Sequence, residues 1–384
     1  MAYYFLFPES DTTLYSNPDR VELNTGGDEI LEITKEVGSS NNILYPTRIL
    51  IKFKNEEITS TISDTIGHNA FENSTVTLNL TSADPQNLIQ TLNLNLYAIS
   101  HSWDEGTGKY TNIPTGSNGA SWKYRNNITT ATEWLTSSFG PASTGSISSS
   151  LLTQGGGTWF TGSGFSANQQ FLVGENLDTN FDVTDIVKKQ SASLFNSSTY
   201  PTGIPNYGFI IKKPKTIECD VSHSFGELNY FSVDTHTIYP PKLTFKWDDS
   251  SYPDTYTGSA KVTGELNVSL YRNKEEFNQN DESLFRIHVR DKYPNRVFTT
   301  GSNYLRTGYF TTASYYSLRD AHTEQEIIPF DDDFTKLSAD GDGMYFKIYM
   351  KGLQPERYYR LLFKHKNNES TTIYDDDYYF KVIR

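Results

Sequence analysis

Hydrophobic residues recur at every second position in many short stretches of this chain. In the segment 91–96, leucines at 92, 94 and 96 alternate with threonine and asparagine. This period of two is typical of a β-strand with one buried and one solvated face. The strand runs into Trp103-Asp104-Glu105-Gly106-Thr107-Gly108, whose glycines allow a sharp turn. An antiparallel sheet therefore ends here, and a long polar loop towards Trp122 begins.

Similar stretches predict strands along most of the first 248 residues: 3–7, 11–15, 29–33, 47–53, 76–80, 207–214 and 241–247. In 47–53 the alternation assigns Ile49, Ile51 and Phe53 to one face, and Arg48 and Lys52 to the other. We therefore expect a half-buried strand with a solvated basic face.

Three segments interrupt this pattern. In 129–134, Thr130 followed by Glu133 predicts a capping box and a brief helix. Segment 181–189 predicts a short helix or strand. The tract from Ser137 to Gly164 is rich in Ser, Thr and Gly, and a connection of that length is functional or loose. We expect it to project and to become ordered when a neighbouring subunit covers it.

The length of 384 residues predicts two domains. Polar residues with a proline at 248–256 suggest a linker, so the predicted division is a first domain over 1–248, a linker over 249–257 and a second domain over 258–384. The second domain has strand patterns at 266–270, 285–289, 344–350, 358–363 and 378–383 without helical periodicity. The predicted fold class is therefore all-β, with a small β-sandwich at the C-terminal end.

The amino-acid composition argues against several classes of binding partner. Aromatics make up 14% of the chain, with 26 Tyr and 23 Phe, which favours strands over helices. A net charge of −13 without a Lys/Arg-rich stripe argues against nucleic acid. No apolar run approaches the roughly 18 residues that span a membrane, and the N-terminal segment lacks the pattern of a signal peptide. The single cysteine, Cys219, excludes an intrachain disulfide and suggests synthesis in a reducing cytoplasm.

Catalytic signatures are scarce. The sequence has no Gly-x-Ser-x-Gly, His-Glu-x-x-His or Walker-type motif. His101 stands close to Asp104 and Glu105, the pair that a polysaccharide-cleaving enzyme would use, but adjacent carboxylates alone do not define a hydrolase. A solvated loop histidine is the simpler interpretation, and the chain is predicted not to be an enzyme.

An acidic, glycine-containing motif in the second domain is a candidate calcium site. Asp340-Gly341-Asp342-Gly343 resembles the start of a calcium loop, which makes Asp340 and Asp342 candidate ligands. The twelfth position of such a loop requires Glu and is Lys351 here, so a tight hairpin turn explains the motif more simply. No cofactor other than this candidate calcium ion is predicted.

The tryptophans at 103, 122, 134 and 159 have two interpretations. Large aromatics fill sandwich cores, and they also stack on sugars and line protein interfaces. General burial tendencies favour the core or the anchoring of loops. As the alternative, Trp103, Asp104, Glu105, Trp122 and Trp159 are candidate contacts for a glycan or a protein partner.

The first 248 residues, read together, resemble the DNRLRE-type jelly-roll module of surface, extracellular and viral proteins, which is related in fold to carbohydrate-binding modules. The matching pieces follow the family order: 11–14, 24–26, 31–33, 48–53, 96–97, 103–107, 182–187, 208–211 and 241–245. The chain departs from the family where Lys109-Tyr110 replaces a second tryptophan, because Trp122 comes only after an insertion. The Ser137–Gly164 tract is also longer than such a module requires.

In the second domain, Leu353-Gln354-Pro355 followed by Tyr359 resembles the tyrosine corner of fibronectin type III and other immunoglobulin-like domains. In that corner a tyrosine hydroxyl ties a strand to the preceding turn. The whole chain resembles virion structural proteins of contractile-tailed bacteriophages, notably marine ones, through the segments 1–16, 294–309 and 352–363.

These resemblances imply an N-terminal jelly roll, a C-terminal immunoglobulin-like sandwich and a non-enzymatic virion protein of the tail, baseplate or neck rather than a capsid decoration. Its partners would be other virion proteins, repeated by the symmetry of the particle, and its location would be the virion after synthesis in the host cytoplasm. The alternative function is a carbohydrate-binding adhesion module that contacts host glycans through the Trp103 to Trp122 loop.

Overall fold

The computed structural model describes residues 2–39, 43–84, 91–111, 118–134, 142–144, 155–192, 203–220, 222–259, 266–271, 274–293, 308–367 and 370–384. Strands account for 44% of the described residues and helices for 11%, and most strands form antiparallel sheets. The prediction of an all-β sandwich fold is confirmed. Most of the Ser137–Gly164 tract lies outside the described residues, so its proposed ordering by a neighbour stays a prediction.

The chain folds into two compact units. The C-terminal unit comprises Met1–Phe5, Asn69–Ser74 and Phe245–Arg384, and the N-terminal unit comprises Leu6–His68 and Thr75–Thr244. The sequence-based division did not anticipate that residues 1–5 and 69–74 group with the C-terminal residues. Tyr3 and Phe5 explain part of this grouping, because their side chains are buried in the hydrophobic core of the C-terminal unit.

Sixteen strands lie between Ala2 and Trp247 in the described residues, and most of them are short. They are β1 (Ala2–Leu6), β2 (Ser10–Tyr15), β3 (Ile30–Ile33), β4 (Lys35–Val37), β5 (Leu44–Lys52), β6 (Thr75–Asn79), β7 (Leu92–Ala98), β8 (Tyr124–Asn126), β9 (Thr132–Glu133), β10 (Ala142–Thr144), β11 (Thr158–Phe160), β12 (Ser166–Phe171), β13 (Phe181–Asp182), β14 (Phe209–Lys212), β15 (Leu228–Phe231) and β16 (Lys242–Trp247). In the N-terminal unit the main sheet has the order β12-β7-β14-β5-β2, with β4 also paired to β5.

Strand β5 lies inside this sheet and is buried on both faces. Its neighbour β14 pairs Ile211 with Ile49 and Ile210 with Leu50, and Ile49 and Leu50 are both completely buried. The expectation of a solvated basic face is wrong for Arg48, which is 1% exposed. A central strand covered on both sides buries every side chain whatever its alternation.

Helices are few and short in the described residues. The chain has α1 (Asn55–Ser60), a π-helical turn (Thr61–Ile66), α2 (His68–Glu72), α3 (Thr184–Gln190), α4 (Lys215–Glu218) and two 3₁₀ turns (Asp254–Ser259 and Met350–Gly352). The helix predicted at 129–134 is wrong. That segment forms β9 instead, because Glu133 pairs with Tyr124 of β8 and the Trp134 N–H donates to the Lys123 carbonyl.

The C-terminal unit is a sandwich of two sheets. Its strands are β17 (Leu266–Tyr271), β18 (Glu276–Asn278), β19 (Glu282–Asp291), β20 (Ser314–Asp320), β21 (Glu326–Ile328), β22 (Ser338–Asp340), β23 (Gly343–Tyr349), β24 (Tyr358–Lys366) and β25 (Thr371–Ile383). One sheet has the order β17-β19-β23-β22 and the other β18-β25-β24-β20-β21. Phe285, Phe346 and Phe380 from both sheets are buried in one core. The alternation at 285–289 and 344–350 in the sequence predicted that Phe285 and Phe346 lie on the apolar face of their strands, whereas 378–383 was predicted only as a strand.

The tyrosine corner is present. The Tyr359 side chain is 1% exposed, and its hydroxyl donates to the carbonyl oxygen of Gln354 at 2.8 Å. This bond ties the start of β24 to the turn that precedes it, as the resemblance to immunoglobulin-like domains implies.

Candidate functional site

The loop that follows β7 is held by one asparagine. The side-chain nitrogen of Asn24 donates to the carbonyls of Glu105 (2.5 Å) and Ala120 (2.7 Å), and its oxygen accepts from the N–H groups of Gly26 (3.1 Å) and Gly108 (2.9 Å). Both hydrogens and both lone pairs of the amide are therefore used. The Trp-Asp-Glu-Gly-Thr-Gly motif is built into the fold by Asn24.

Two glycines of this motif allow that close approach. A Cβ on Gly108 would lie 2.2 Å from the Asn24 carbonyl oxygen, and one on Gly106 would lie 2.5 Å from the Asn24 side-chain oxygen. Gly106 also has a φ of +80°, a conformation that favours glycine. The glycines that suggested a turn in the sequence are needed here for packing as well.

Glu105 binds the backbone of Asp11, a residue whose own carboxyl group is buried. Its Oε1 accepts a hydrogen bond from the backbone N–H of Asp11 at 2.8 Å. The Asp11 carboxylate, in a residue 1% exposed, accepts from the Ser232 hydroxyl (3.0 Å) and the Val233 N–H (2.7 Å). Burial raises the pKa of Asp11 to about 7, although both hydrogen bonds oppose the rise. Burial also raises the pKa of Glu105 to about 7.

Asp104 is anchored through its backbone. Its N–H donates to the carbonyl of Arg125 at 3.1 Å, and its own carbonyl accepts from the Ala120 N–H at 2.7 Å. His101 is partly buried, and its Nδ1 lies 2.9 Å from the Thr158 hydroxyl. Burial lowers the pKa of His101. The Ala120 bond closes the loop on itself, whereas the bonds to Arg125 and Thr158 join it to neighbouring segments of the N-terminal unit.

The four tryptophans lie in the core of the N-terminal unit, so the core role predicted for them is confirmed. Their exposed fractions are 4% for Trp103, none for Trp122, 2% for Trp134 and 9% for Trp159. The Trp103 indole N–H donates to the carbonyl of Tyr207 at 2.9 Å. Trp159 stacks on another ring of the unit at a centroid distance of 5.6 Å. Rings buried in this way present no face on which a sugar could stack.

A buried charge cluster lies beside two of these rings. The Arg48 guanidinium donates to both carboxylate oxygens of Glu218, each at 2.9 Å, and the Lys212 ammonium lies 2.7 Å from Glu218 Oε2. All three side chains are at most 5% exposed. The Arg48 Cζ lies 4.5 Å from the Trp122 ring centroid and 5.3 Å from that of Trp159. Both cations hold the pKa of Glu218 below its usual value, against the effect of burial.

The described residues also form an open cleft of about 550 Å³ in the N-terminal unit. We call it the Arg20 cleft. Its lining includes Asn17, Arg20, Glu32, Thr34, Glu36 and Tyr110. Sequence reasoning did not identify it, because these side chains come from separate segments and share no spacing motif. The one available signal was position: Tyr110 belongs to the Trp103 to Trp122 loop.

Arg20 and Tyr110 form a fixed pair in the cleft. The Arg20 Cζ lies 3.6 Å from the Tyr110 ring centroid, and its Nη1 donates to the Tyr110 carbonyl at 2.8 Å. The Tyr110 hydroxyl donates to Glu36 Oε1 at 3.0 Å, and the Tyr110 N–H donates to Asp28 at 2.8 Å. The residue as a whole nevertheless remains 41% exposed. Glu32 lies deeper, where burial raises its pKa.

The predicted hairpin at Asp340 is confirmed. Asp340 pairs with Gly343 in the β22–β23 register, which leaves a two-residue turn. Both carboxylate oxygens of Asp340 accept from Arg286 at 2.8 Å, and Asp342 lies 3.9 Å from the same guanidinium. Nowhere in the described residues do three His, Cys, Asp or Glu side chains come together in a way that could hold a metal ion. The acidic oxygens proposed for calcium are arranged around an arginine instead.

No helix within the described segments is both long and apolar enough to cross a membrane. Comparison of the sequence with models of known protein families and with curated proteins finds no match.

Proposed function

We propose that this chain is a non-enzymatic structural protein of a bacteriophage virion that acts through fixed contacts with other virion proteins. Its resemblance to contractile-tailed phage proteins and its all-β sandwich fold support the proposal. Such proteins work by shape, and particle symmetry repeats each contact many times.

The observation that carries the contact role is the outer face of β24 and β25. Tyr358 is 57% exposed and Tyr379 39% exposed. In the antiparallel register Tyr358 lies opposite Lys381 and Tyr379 opposite Arg360, so all four side chains share one face. Ile373, which is 56% exposed, lies further along β25.

This face has the composition of a protein interface. Tyrosine and arginine are enriched at interfaces and supply many of the residues that dominate binding energy. The Arg360 guanidinium already pairs with Glu324 at 2.7 Å and with Asp375, so it would enter an interface neutralised. Burial of the aromatic rings, rather than charge, would then provide most of the affinity.

Electron cryo-microscopy of intact particles at side-chain resolution tests the proposal. We expect the chain in the particle, with the outer face of β24 and β25 covered by another subunit. Particles that lack the chain, or that leave this face open to solvent, would contradict it.

A substitution test adds a matched control. In particles assembled with the chain supplied in trans, Tyr358→Ser combined with Tyr379→Ser should lower incorporation at least about tenfold, because hot-spot tyrosines each contribute about 2 kcal/mol or more. Tyr293 is the most exposed of the large hydrophobic side chains in the described residues, at 76%, and lies outside the sheets, so Tyr293→Ser should incorporate normally. Equal incorporation of both variants would argue against this face as the contact.

A further inference from the structure

The Arg20 cleft contains polar groups that the fold itself leaves unused. Asn17 is 6% exposed and Thr34 is 8% exposed, and both line the cleft. Asn17 Oδ1 accepts from the Asp19 N–H, but among the described residues neither the Asn17 amide nitrogen nor the Thr34 hydroxyl has a hydrogen-bond partner. Both of these atoms open onto the cleft, and two acceptors in its lining, Glu36 Oε2 and Asn229 Oδ1, are buried without a hydrogen-bond partner in the described residues. Buried polar atoms are normally hydrogen-bonded. Because these groups lie in an open cleft, a bound molecule could supply the missing hydrogen bonds.

The cleft also offers an aromatic surface that is already fixed. The Tyr110 ring is oriented by the bond of its hydroxyl to Glu36 and by the guanidinium of Arg20, and its backbone N–H is held by Asp28. The residue as a whole nevertheless stays 41% exposed. A ring that is already held in place loses little conformational entropy when a ligand binds, so more of the contact energy contributes to affinity. Rings of this kind stack against the apolar faces of sugars.

The charges in the cleft decide which ligand fits. Carboxylates outnumber cations in the lining: Asp19, Glu32, Glu36 and Glu227 against Arg20 and Lys35. Glu36 lies 3.4 Å from Arg20, whereas the described residues hold no ion-pair partner for the other three carboxylates. This excess disfavours an acidic ligand such as a sialylated or sulfated glycan.

A basic peptide fits less well than a neutral, hydroxyl-rich molecule. The lining presents donors, namely the Asn17 amide and the Arg20 guanidinium, together with the Glu32 and Glu227 acceptors. A cationic side chain uses only acceptors, but the hydroxyl groups of a sugar donate and accept at once. The volume of about 550 Å³ is also within the range of small-ligand sites.

From these observations we propose that the Arg20 cleft binds a neutral oligosaccharide, with its hydroxyl groups bonded to Asn17, Thr34 and Glu32 and one sugar face against Tyr110. This site differs from the buried tryptophans considered in the sequence analysis. It is also independent of the contact role proposed for the outer face of β24 and β25.

The test uses the full chain. An array of neutral, sialylated and sulfated glycans identifies a ligand, and isothermal titration measures its affinity. We expect binding to neutral glycans only. Binding confined to acidic glycans, or binding to an oligoarginine peptide in place of any glycan, would overturn the proposal, as would a featureless array together with no saturation-transfer NMR signal from neutral disaccharides at millimolar concentration.

Substitutions then locate the site. Thr34→Val keeps the side-chain shape and removes a hydroxyl that the fold does not use. We expect binding to weaken about tenfold, which corresponds to the loss of one hydrogen bond of about 1.4 kcal/mol. The melting temperature should not change. Tyr110→Ala should weaken binding by at least as much, and Tyr293→Ser should leave it unchanged. Glycan binding that survives Thr34→Val at full affinity would place the ligand elsewhere and refute the assignment.

Discussion

Glu218 should be among the residues of the N-terminal unit that are least tolerant of substitution. It is the one carboxylate bonded to both Arg48 and Lys212 in the described structure, at 2.7–2.9 Å, and its side chain is 1% exposed. The substitution Glu218→Gln preserves the volume but removes the negative charge. The cluster then changes from a net charge of +1 (two cations and one anion) to +2.

The expected loss of stability is large. Breaking a buried ion pair by removing one partner costs about 3–5 kcal/mol, because the remaining charge stays buried without compensation. Two cations are left here, although Lys212 can relieve the repulsion by losing its proton, since burial already lowers its pKa. We therefore expect a loss of about 3–5 kcal/mol at pH 6 and a smaller loss at pH 9. A domain has only about 5–15 kcal/mol of stability in total.

Urea denaturation followed by tryptophan fluorescence measures this loss. Four of the five tryptophans belong to the N-terminal unit, and the Trp122 ring lies 4.5 Å from Arg48. With a urea dependence of about 2–3 kcal/mol per molar, the midpoint should fall by about 1–2 M.

The control is Glu22→Gln. Glu22 contacts Lys123 at the same distance of 2.7 Å, but the two side chains are 48% and 37% exposed. An exposed pair contributes about 1 kcal/mol or less, so this variant should unfold almost like the parent. If Glu218→Gln and Glu22→Gln had indistinguishable midpoints, the argument that burial makes the Arg48 cluster essential would be refuted.

Three further predictions concern other parts of the fold. The pKa of Asp11 is about 7 in the folded chain, against 3.8 for a free aspartate. Its contribution to stability is therefore fully present below about pH 4 and is lost as pH rises to about 7, so Asp11→Asn should gain up to about 4 kcal/mol of stability relative to the parent between pH 4 and pH 8. Urea titrations across this range measure the difference, and parallel pH profiles of the two proteins would contradict the prediction. Gly156→Ala should lower the melting temperature of the protein more than Gly174→Ala does. Both glycines have a positive φ, but only at Gly156 would an added Cβ lie 2.7 Å from Arg48 and Trp122. Equal melting temperatures would show that backbone strain alone matters. Tyr359→Phe should cost about 1–2 kcal/mol by removing the bond to Gln354, seen as faster hydrogen exchange in β24, whereas Tyr358→Phe at an exposed position should leave exchange unchanged.

Local patterns in the sequence predicted much of the secondary structure. The alternation in 91–96 corresponds to β7, where Leu92, Leu94 and Leu96 are all at most 1% exposed. The tyrosine corner at Tyr359 and the hairpin at Asp340 were also predicted correctly. These features depend on residues that are close in the chain, so their physical causes are visible in the sequence.

The helices between residues 55 and 72 and the strand at 132–133 were not predicted. The helical segment is short and carries mixed polar and apolar residues, so its periodicity is weak. At 132–133 the capping-box pattern was outweighed by pairing with β8. Tertiary contacts override local preference where the preference is worth only a fraction of a kilocalorie per mole.

By itself, the sequence determined that the chain is all-β, where many of its strands lie and, in half-buried strands such as β7, which residues face inward, because a period of two is a property of neighbouring residues. Only the tertiary structure decided that Arg48 is buried against Glu218, 170 residues away, and that residues 1–5 belong to the C-terminal unit. It also assembled the Arg20 cleft from segments as distant as Asn17 and Asn229. Such groups meet through sheet pairing between remote strands, so the charge, burial and geometry of a site depend on contacts for which the chain carries no local signal.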